Sequence, residues 1–134
     1  MNACGNTATV VLLAEDEPAI RKLVDGLLRE AGYQVMVAVD GQDALARARQ
    51  HPGAIHLLLT NVKMPKLNGV DLAQQLRLAR PGTKVLIMSG KTSGELDRLM
   101  KQPDFIAKPF LPHALLDKIA DVLANLQQSE PEII

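Results

Sequence analysis

Aromatic residues are almost missing from this chain of 134 residues, because Phe, Tyr and Trp together make up only 2% of it. Hydrophobic residues nevertheless reach 47%. We therefore expect one compact domain with an aliphatic core of Leu, Val, Ile, Ala and Met. Cysteine is equally scarce, since Cys4 is the only one in the sequence. A single cysteine excludes an internal disulfide framework and is compatible with a reducing compartment.

Net charge and long apolar runs are also missing. Fifteen Lys and Arg residues balance fifteen Asp and Glu residues, so bulk charge gives no attraction to nucleic acid or to an anionic membrane. No apolar run approaches the roughly 20 residues that span a bilayer, and residues 1–9 show no signal-peptide pattern. We therefore expect a cytoplasmic protein with neither nucleic acid nor membrane as a partner.

Strand-length apolar runs alternate with amphipathic helical segments along the chain. Strands are predicted at residues 10–14, 33–39, 55–60, 85–88 and 105–107, and helices from residue 18, at 44–48, 70–76, 94–100 and 115–126. The alternation predicts an α/β protein with a parallel sheet covered by helices on both faces. The common five-strand solution is the flavodoxin-like (βα)5 fold with strand order 2-1-3-4-5. We expect the domain to span residues 9–127, between a disordered segment at 1–8 and a flexible tail at 128–134.

Polar side chains follow four of the predicted strands, at the edge of a parallel sheet where ligands bind. In chain order they are Glu15 and Asp16, Asn61, Ser89, and Lys108. Two carboxylates with a carbonyl oxygen suit a hard divalent cation such as Mg²⁺. A hydroxyl and an ammonium on the far side suit the oxygens of a phosphoryl group.

The motifs around these residues resemble the receiver domain of bacterial two-component response regulators. The resemblance covers roughly residues 10–126, and its features are Glu15-Asp16 after an apolar run, Met64-Pro65 followed by Gly69, Met88-Ser89-Gly90, and Phe105 through Lys108-Pro109. It implies a phosphorelay signalling module whose partner is a histidine kinase or phosphotransfer protein. A homodimer or an output domain is also compatible with the resemblance.

The resemblance also implies a role for each site residue. Glu15 and Asp16 would hold Mg²⁺, together with the Asn61 position and the backbone carbonyl of Lys63. Asn61 stands at the phosphoacceptor position. Ser89 and Lys108 would contact the phosphoryl group, and Ser89 and Phe105 match the switch positions.

Asn61 departs from the family's pattern, in which this position is the aspartate that accepts phosphate from the kinase. A carboxamide is a poor nucleophile, so we expect no acyl phosphate and only weak Mg²⁺ binding. Two interpretations remain open. The chain is either a non-phosphorylatable variant of an ordinary receiver or a natural pseudo-receiver that acts through binding alone.

Two enzyme classes are alternatives to a receiver. A flavodoxin needs a phosphate-cradling loop rich in Ser, Thr and Gly, whereas the loop after the first strand here is acidic, Glu15-Asp16-Glu17-Pro18. An aspartyl-phosphate phosphatase needs a nucleophilic aspartate after a strand, and Asp16 is the candidate. Ser89 and Lys108 would have no better use in that enzyme than in a receiver. We therefore expect a binding module and not an enzyme.

Several basic side chains receive no site role. The arginines at positions 47, 49, 77 and 80 are predicted to lie on helix surfaces, with no aromatic neighbours for base stacking. The histidines at positions 51, 56 and 113 lie apart and are predicted to have surface or packing roles.

Overall fold

A computed structural model describes residues 9–61, 66–89, 105–107 and 112–124, with the backbone alone for Ser89 and 105–107. The strands are β1 (Val10–Ala14), β2 (Gln34–Ala38), β3 (Leu57–Asn61), β4 (Lys84–Ser89) and β5 (Phe105–Ala107). The helices are α1 (Pro18–Glu30), α2 (Gly41–Gln50), α3 (Gly69–Ala79) and α4 (Pro112–Ala124). The predicted helix at 94–100 and the terminal segments 1–8 and 128–134 lie outside the described residues.

The strands form one sheet in the order β2-β1-β3-β4-β5, and every pairing is parallel. β1 lies between β2 and β3, where Ala14 is opposite Ala38 on one side and Thr60 on the other. The carboxyl ends of β1 and β3 therefore meet at one edge of the sheet. The predicted parallel α/β architecture is confirmed, and this register positions the candidate site.

Aliphatic side chains fill a core on each face of the sheet. Because successive residues of a strand point to opposite faces, Leu12 packs beneath α2 and α3 whereas Leu13 packs beneath α1 and α4. Leu45 and Leu76 are among the residues that close the first core. The buried apolar residues of the described part are all Val, Leu, Ile, Ala or Met, as the composition predicts.

β3 is shifted along the chain relative to its prediction at 55–60. It begins at Leu57 and ends at Asn61, which continues the ladder because it lies opposite Met88 of β4. Ahead of β3, the backbone N–H of His56 donates to the Val10 carbonyl at 2.9 Å, and the His56 Nδ1 accepts from the Val10 N–H at 2.9 Å. The imidazole thus completes the pairing of the first β1 residue, which is a packing role of the predicted kind.

Two arginines at α3 differ from the prediction that they lie on helix surfaces. Arg77 is only 5% exposed, because helical periodicity places it beside Ala73 and Leu76 on the buried side of α3. Arg80 is half-buried and donates to three carbonyl oxygens of the preceding α2 segment and its loop. Within the described residues, no helix has both the length and the apolar character that a membrane crossing requires.

Candidate functional site

Glu15 directly follows β1 and is fully buried at the edge of the sheet. Its backbone N–H donates to the Ala38 carbonyl at 3.2 Å, so the chain stays attached to β2 as it leaves the strand. Its carboxylate Oε2 accepts from the Glu17 backbone N–H at 3.0 Å. Arg21, one turn into α1, donates from Nη1 to the Glu15 carbonyl at 2.9 Å. The position of Glu15 is therefore fixed through its backbone and its side chain.

The side chain of Asn61 lies between the two acidic residues of the loop after β1. Its Nδ2 is 3.4 Å from Glu15 Oε2 and 3.3 Å from Asp16 Oδ1. Both distances are long for an N–H···O bond, so each contact is weak by itself, although an ionised acceptor strengthens it. The structure therefore brings together Glu15, Asp16 and Asn61, as the strand order predicts.

The backbone of Asn61 is held as closely as its side chain. The buried Thr60 hydroxyl donates to the Asn61 carbonyl at 3.0 Å. Gly69, the first residue of α3, lies so near that a Cβ on it would overlap the same carbonyl oxygen and come within 3.1 Å of Thr60 Oγ1. Glycine is thus required where α3 packs against the end of β3.

Reciprocal caps fix the start of α2 next to this edge. Asp40 is the N-cap and accepts the Asp43 backbone N–H on Oδ1 at 2.7 Å, while Asp43 Oδ2 accepts the Val39 N–H at 3.0 Å. Partial burial opposes ionisation of Asp43. The Val39 hydrogen bond and the hydrogen bond and charge of Arg47 outweigh that burial, so the pKa of Asp43 is lowered from its ordinary 3.8.

The loop after β3 crosses the start of α2. Lys66 Nζ lies 3.7 Å from Asp40 Oδ2, and Gly41 packs against the Leu67 carbonyl in a space that no Cβ could share. Lys66 has a φ of +74°, a left-handed conformation that is uncommon for a residue with a side chain. The β2–α2 and β3–α3 connections are therefore in direct contact beside Asn61.

The remaining predicted site residues lie on β4 and β5 or outside the described residues. Ser89 is the last residue of β4 and pairs with Ala107, and Phe105 is the first residue of β5. Lys63 and Lys108 lie outside the described residues. The roles assigned to all of these residues stay predictions.

Sequence reasoning missed Arg21 and the close approach at Gly69. An arginine in the first turns of an amphipathic helix has the pattern of a solvated residue, and its spacing of one turn beyond Glu17 was the available signal. For Gly69, the signal was a glycine at a helix start directly after the N-cap Asn68. If the Asn61 carbonyl were not close by, a serine, aspartate or alanine would be equally suitable at this helix start.

Comparison with known proteins identifies the family of the fold. The family model described as the response regulator receiver domain matches residues 11–120. The transcriptional regulatory protein CpxR of Klebsiella pneumoniae is 34% identical over 126 residues, which cover 91% of this chain and 52% of that protein. The probable transcriptional regulatory protein TcrX of Mycobacterium tuberculosis is 33% identical over 82% of this chain and 47% of its own length.

Solved structures agree with the sequence comparison. The chemotaxis protein CheY4 of Vibrio cholerae superposes with a TM-score of 0.79 at 30% identity, covering 87% of this chain and 99% of that one. The receiver domain of the hybrid histidine kinase CckA gives a TM-score of 0.72 at 31% identity, covering 85% and 98%. The chain spans about half the length of the curated relatives it matches. With its flavodoxin-like fold, this chain belongs to the family of response regulator receiver domains.

Proposed function

We propose that the chain is a receiver module of a two-component phosphorelay whose acceptor position cannot be phosphorylated, because it is Asn61. The observation that carries the proposal is the contact of the Asn61 amide with both Glu15 and Asp16, at the carboxyl ends of β1 and β3. An aspartate at this position would face the same two carboxylates. A carboxamide in its place has no anionic oxygen with which to attack phosphorus.

The oxygen donors at this edge fit Mg²⁺ in kind. The carboxylates of Glu15 and Asp16 are adjacent, and hard cations prefer such ligands. Among the described residues no three His, Cys, Asp or Glu side chains gather into a metal-binding group, and the residue beside the two carboxylates is the amide Asn61. We infer that Glu15, Asp16 and the Lys63 carbonyl would hold the ion weakly. Bound Mg²⁺ would supply positive charge next to a phosphoryl group.

The other roles rest on membership of the family. Ser89 and Lys108 would contact a phosphoryl group, and Phe105 would be the switch aromatic. A histidine kinase or a phosphotransfer protein would be the upstream partner, with a homodimer or an output domain downstream. A complete (βα)5 domain, with a helix between Ser89 and Phe105, belongs to the same proposal.

Labelling with radioactive acetyl phosphate tests the proposal, with this protein and its Asn61→Asp form measured side by side in Mg²⁺. We expect label on the Asn61→Asp form alone, removed when Lys108→Ala is added to it. That result would mean that the unchanged protein is a receiver in which only the phosphate acceptor is missing. Label on the unchanged protein would mean that another residue accepts phosphate, and the proposal would be wrong.

A second candidate is a natural pseudo-receiver that acts through binding alone. The Asn61 amide favours it, because a neutral donor between the carboxylates lowers their mutual repulsion without a cation. An Asn61→Asp form that folds but takes no label would favour this candidate. Beryllofluoride with Mg²⁺ should then leave the amide NMR spectrum of both proteins unchanged.

A further inference from the structure

A groove between α2 and α3 has no part in the site around Asn61. Its volume is about 460 Å³, and its apolar walls include Leu45, Ala48 and Leu76. Leu78 on its rim is 85% exposed, the largest exposed fraction among the large apolar residues of the described chain. Leu78 therefore offers an exposed apolar contact at the edge of the groove.

The charges around this groove have one sign. Arg49 and Arg80 line it, and no Asp or Glu is among the described residues that do so. Arg49 forms no ion pair with a carboxylate in the described part of the chain. On α2, the Asp43 carboxylate is already paired with Arg47 and not with Arg49.

We propose that the α2–α3 groove binds an acidic amphipathic helix of a partner protein. The partner would place an apolar side chain against the exposed Leu78 and a carboxylate against Arg49. Two packed helices leave a furrow that accommodates a third helix by ridges-into-grooves packing. Arg80 can contribute its charge without moving, because its guanidinium is already fixed on the carbonyls of Ala48, His51 and Gly53.

The probe is a synthetic amphipathic helix with a leucine stripe flanked by glutamates, titrated into the full chain and followed by backbone amide NMR. We expect shifts confined to α2 and α3, and weaker binding at higher salt. Leu78→Gln should weaken binding about tenfold, because it removes the exposed apolar contact that the partner would bury. Arg49→Glu should weaken it by a similar factor. A peptide with lysines in place of the glutamates should bind at least about tenfold more weakly.

Matched controls come from α1, on the other face of the sheet. Leu23 is 55% exposed there, and Lys22 is exposed beside it. Leu23→Gln and Lys22→Glu should leave the affinity unchanged. Equal binding by Leu78→Gln, or equal binding of the lysine peptide, would overturn the proposal. A concentration-dependent dimer that Leu78→Gln abolishes would overturn it as well, since the occupant would then be a second copy of this chain.

Discussion

The amide nitrogen of Asn61 donates to Oδ1 of Asp16 across 3.3 Å, between two residues that are 45 positions apart in sequence. An aspartate at position 61 could not donate this bond, and its carboxylate would face Asp16 with a like charge. Asparagine and aspartate are nearly equal in size, so the exchange changes the charge and the hydrogen bonding of the site but not its packing.

Asn61→Asp should therefore lower the thermal stability of the metal-free protein by several degrees. Each new pair of carboxylates about 4 Å apart costs on the order of 4 kcal/mol at an effective dielectric near 20, before relaxation. Mg²⁺ should raise the melting temperature of Asn61→Asp far more than that of the unchanged protein. Thermal melts with and without Mg²⁺ measure both effects.

Asn61→Ala is the control for that comparison, because it removes the hydrogen bonds without adding a charge. Its metal-free melting temperature should lie between those of the other two proteins. If Mg²⁺ stabilises the unchanged protein as much as Asn61→Asp, the charge explanation is wrong.

Gly69→Ala should destabilise the fold by about 1–3 kcal/mol, because its methyl group would overlap the Asn61 carbonyl. Gly26→Ala is the matched control within α1, where a Cβ meets nothing within 4 Å. The control should instead stabilise by up to about 1 kcal/mol, since alanine is the better helix former. Urea denaturation of both variants measures the two free energies. A neutral Gly69→Ala would show that α3 can shift away from β3 at little cost.

Arg80→Ala should lower the free energy of unfolding by about 2–4 kcal/mol. Replacement of an arginine on a helix surface usually lowers it much less. The Arg80 guanidinium donates to the carbonyls of Gly53, Ala48 and His51 at 2.8, 3.0 and 2.7 Å, and hydrogen bonds from a charged donor are the stronger kind. Arg49→Ala should change stability by no more than about 0.5 kcal/mol. Equal urea midpoints for the two variants would mean that water replaces the carbonyl bonds.

Asp43→Asn should destabilise the protein at neutral pH and have less effect in acid. The lowered pKa of Asp43 means that its ionised form is favoured by folding, so its stabilisation is present above the ordinary value of 3.8. That stabilisation is lost as the pH falls through the lowered pKa of the folded state. Urea denaturation at about pH 7 and pH 3 measures the change. Gln42→Ala, at the exposed neighbouring position, is the control. It should change the free energy of unfolding by the same amount at both pH values.

The strands and the meeting of the acidic loop with Asn61 were predictable, because unbroken aliphatic runs mark buried parallel strands and the strand order follows from them. The burial of Arg77 was not predictable from composition, since burial of an arginine depends on what packs over its helix. The left-handed conformation of Lys66 was not predictable either. Nothing in the local sequence predicts a positive φ for a lysine.

Arg80 links the end of α3 to two earlier parts of the chain, the last turn of α2 and the loop at Gly53. Local unfolding of any one of these parts would break hydrogen bonds of the Arg80 guanidinium, so it would also disturb the other parts. In native-state hydrogen exchange, the amides of α2 and α3 should therefore share one opening free energy and behave as a single cooperative unit. For α1, on the opposite face of the sheet and without this link, we expect a separate opening free energy.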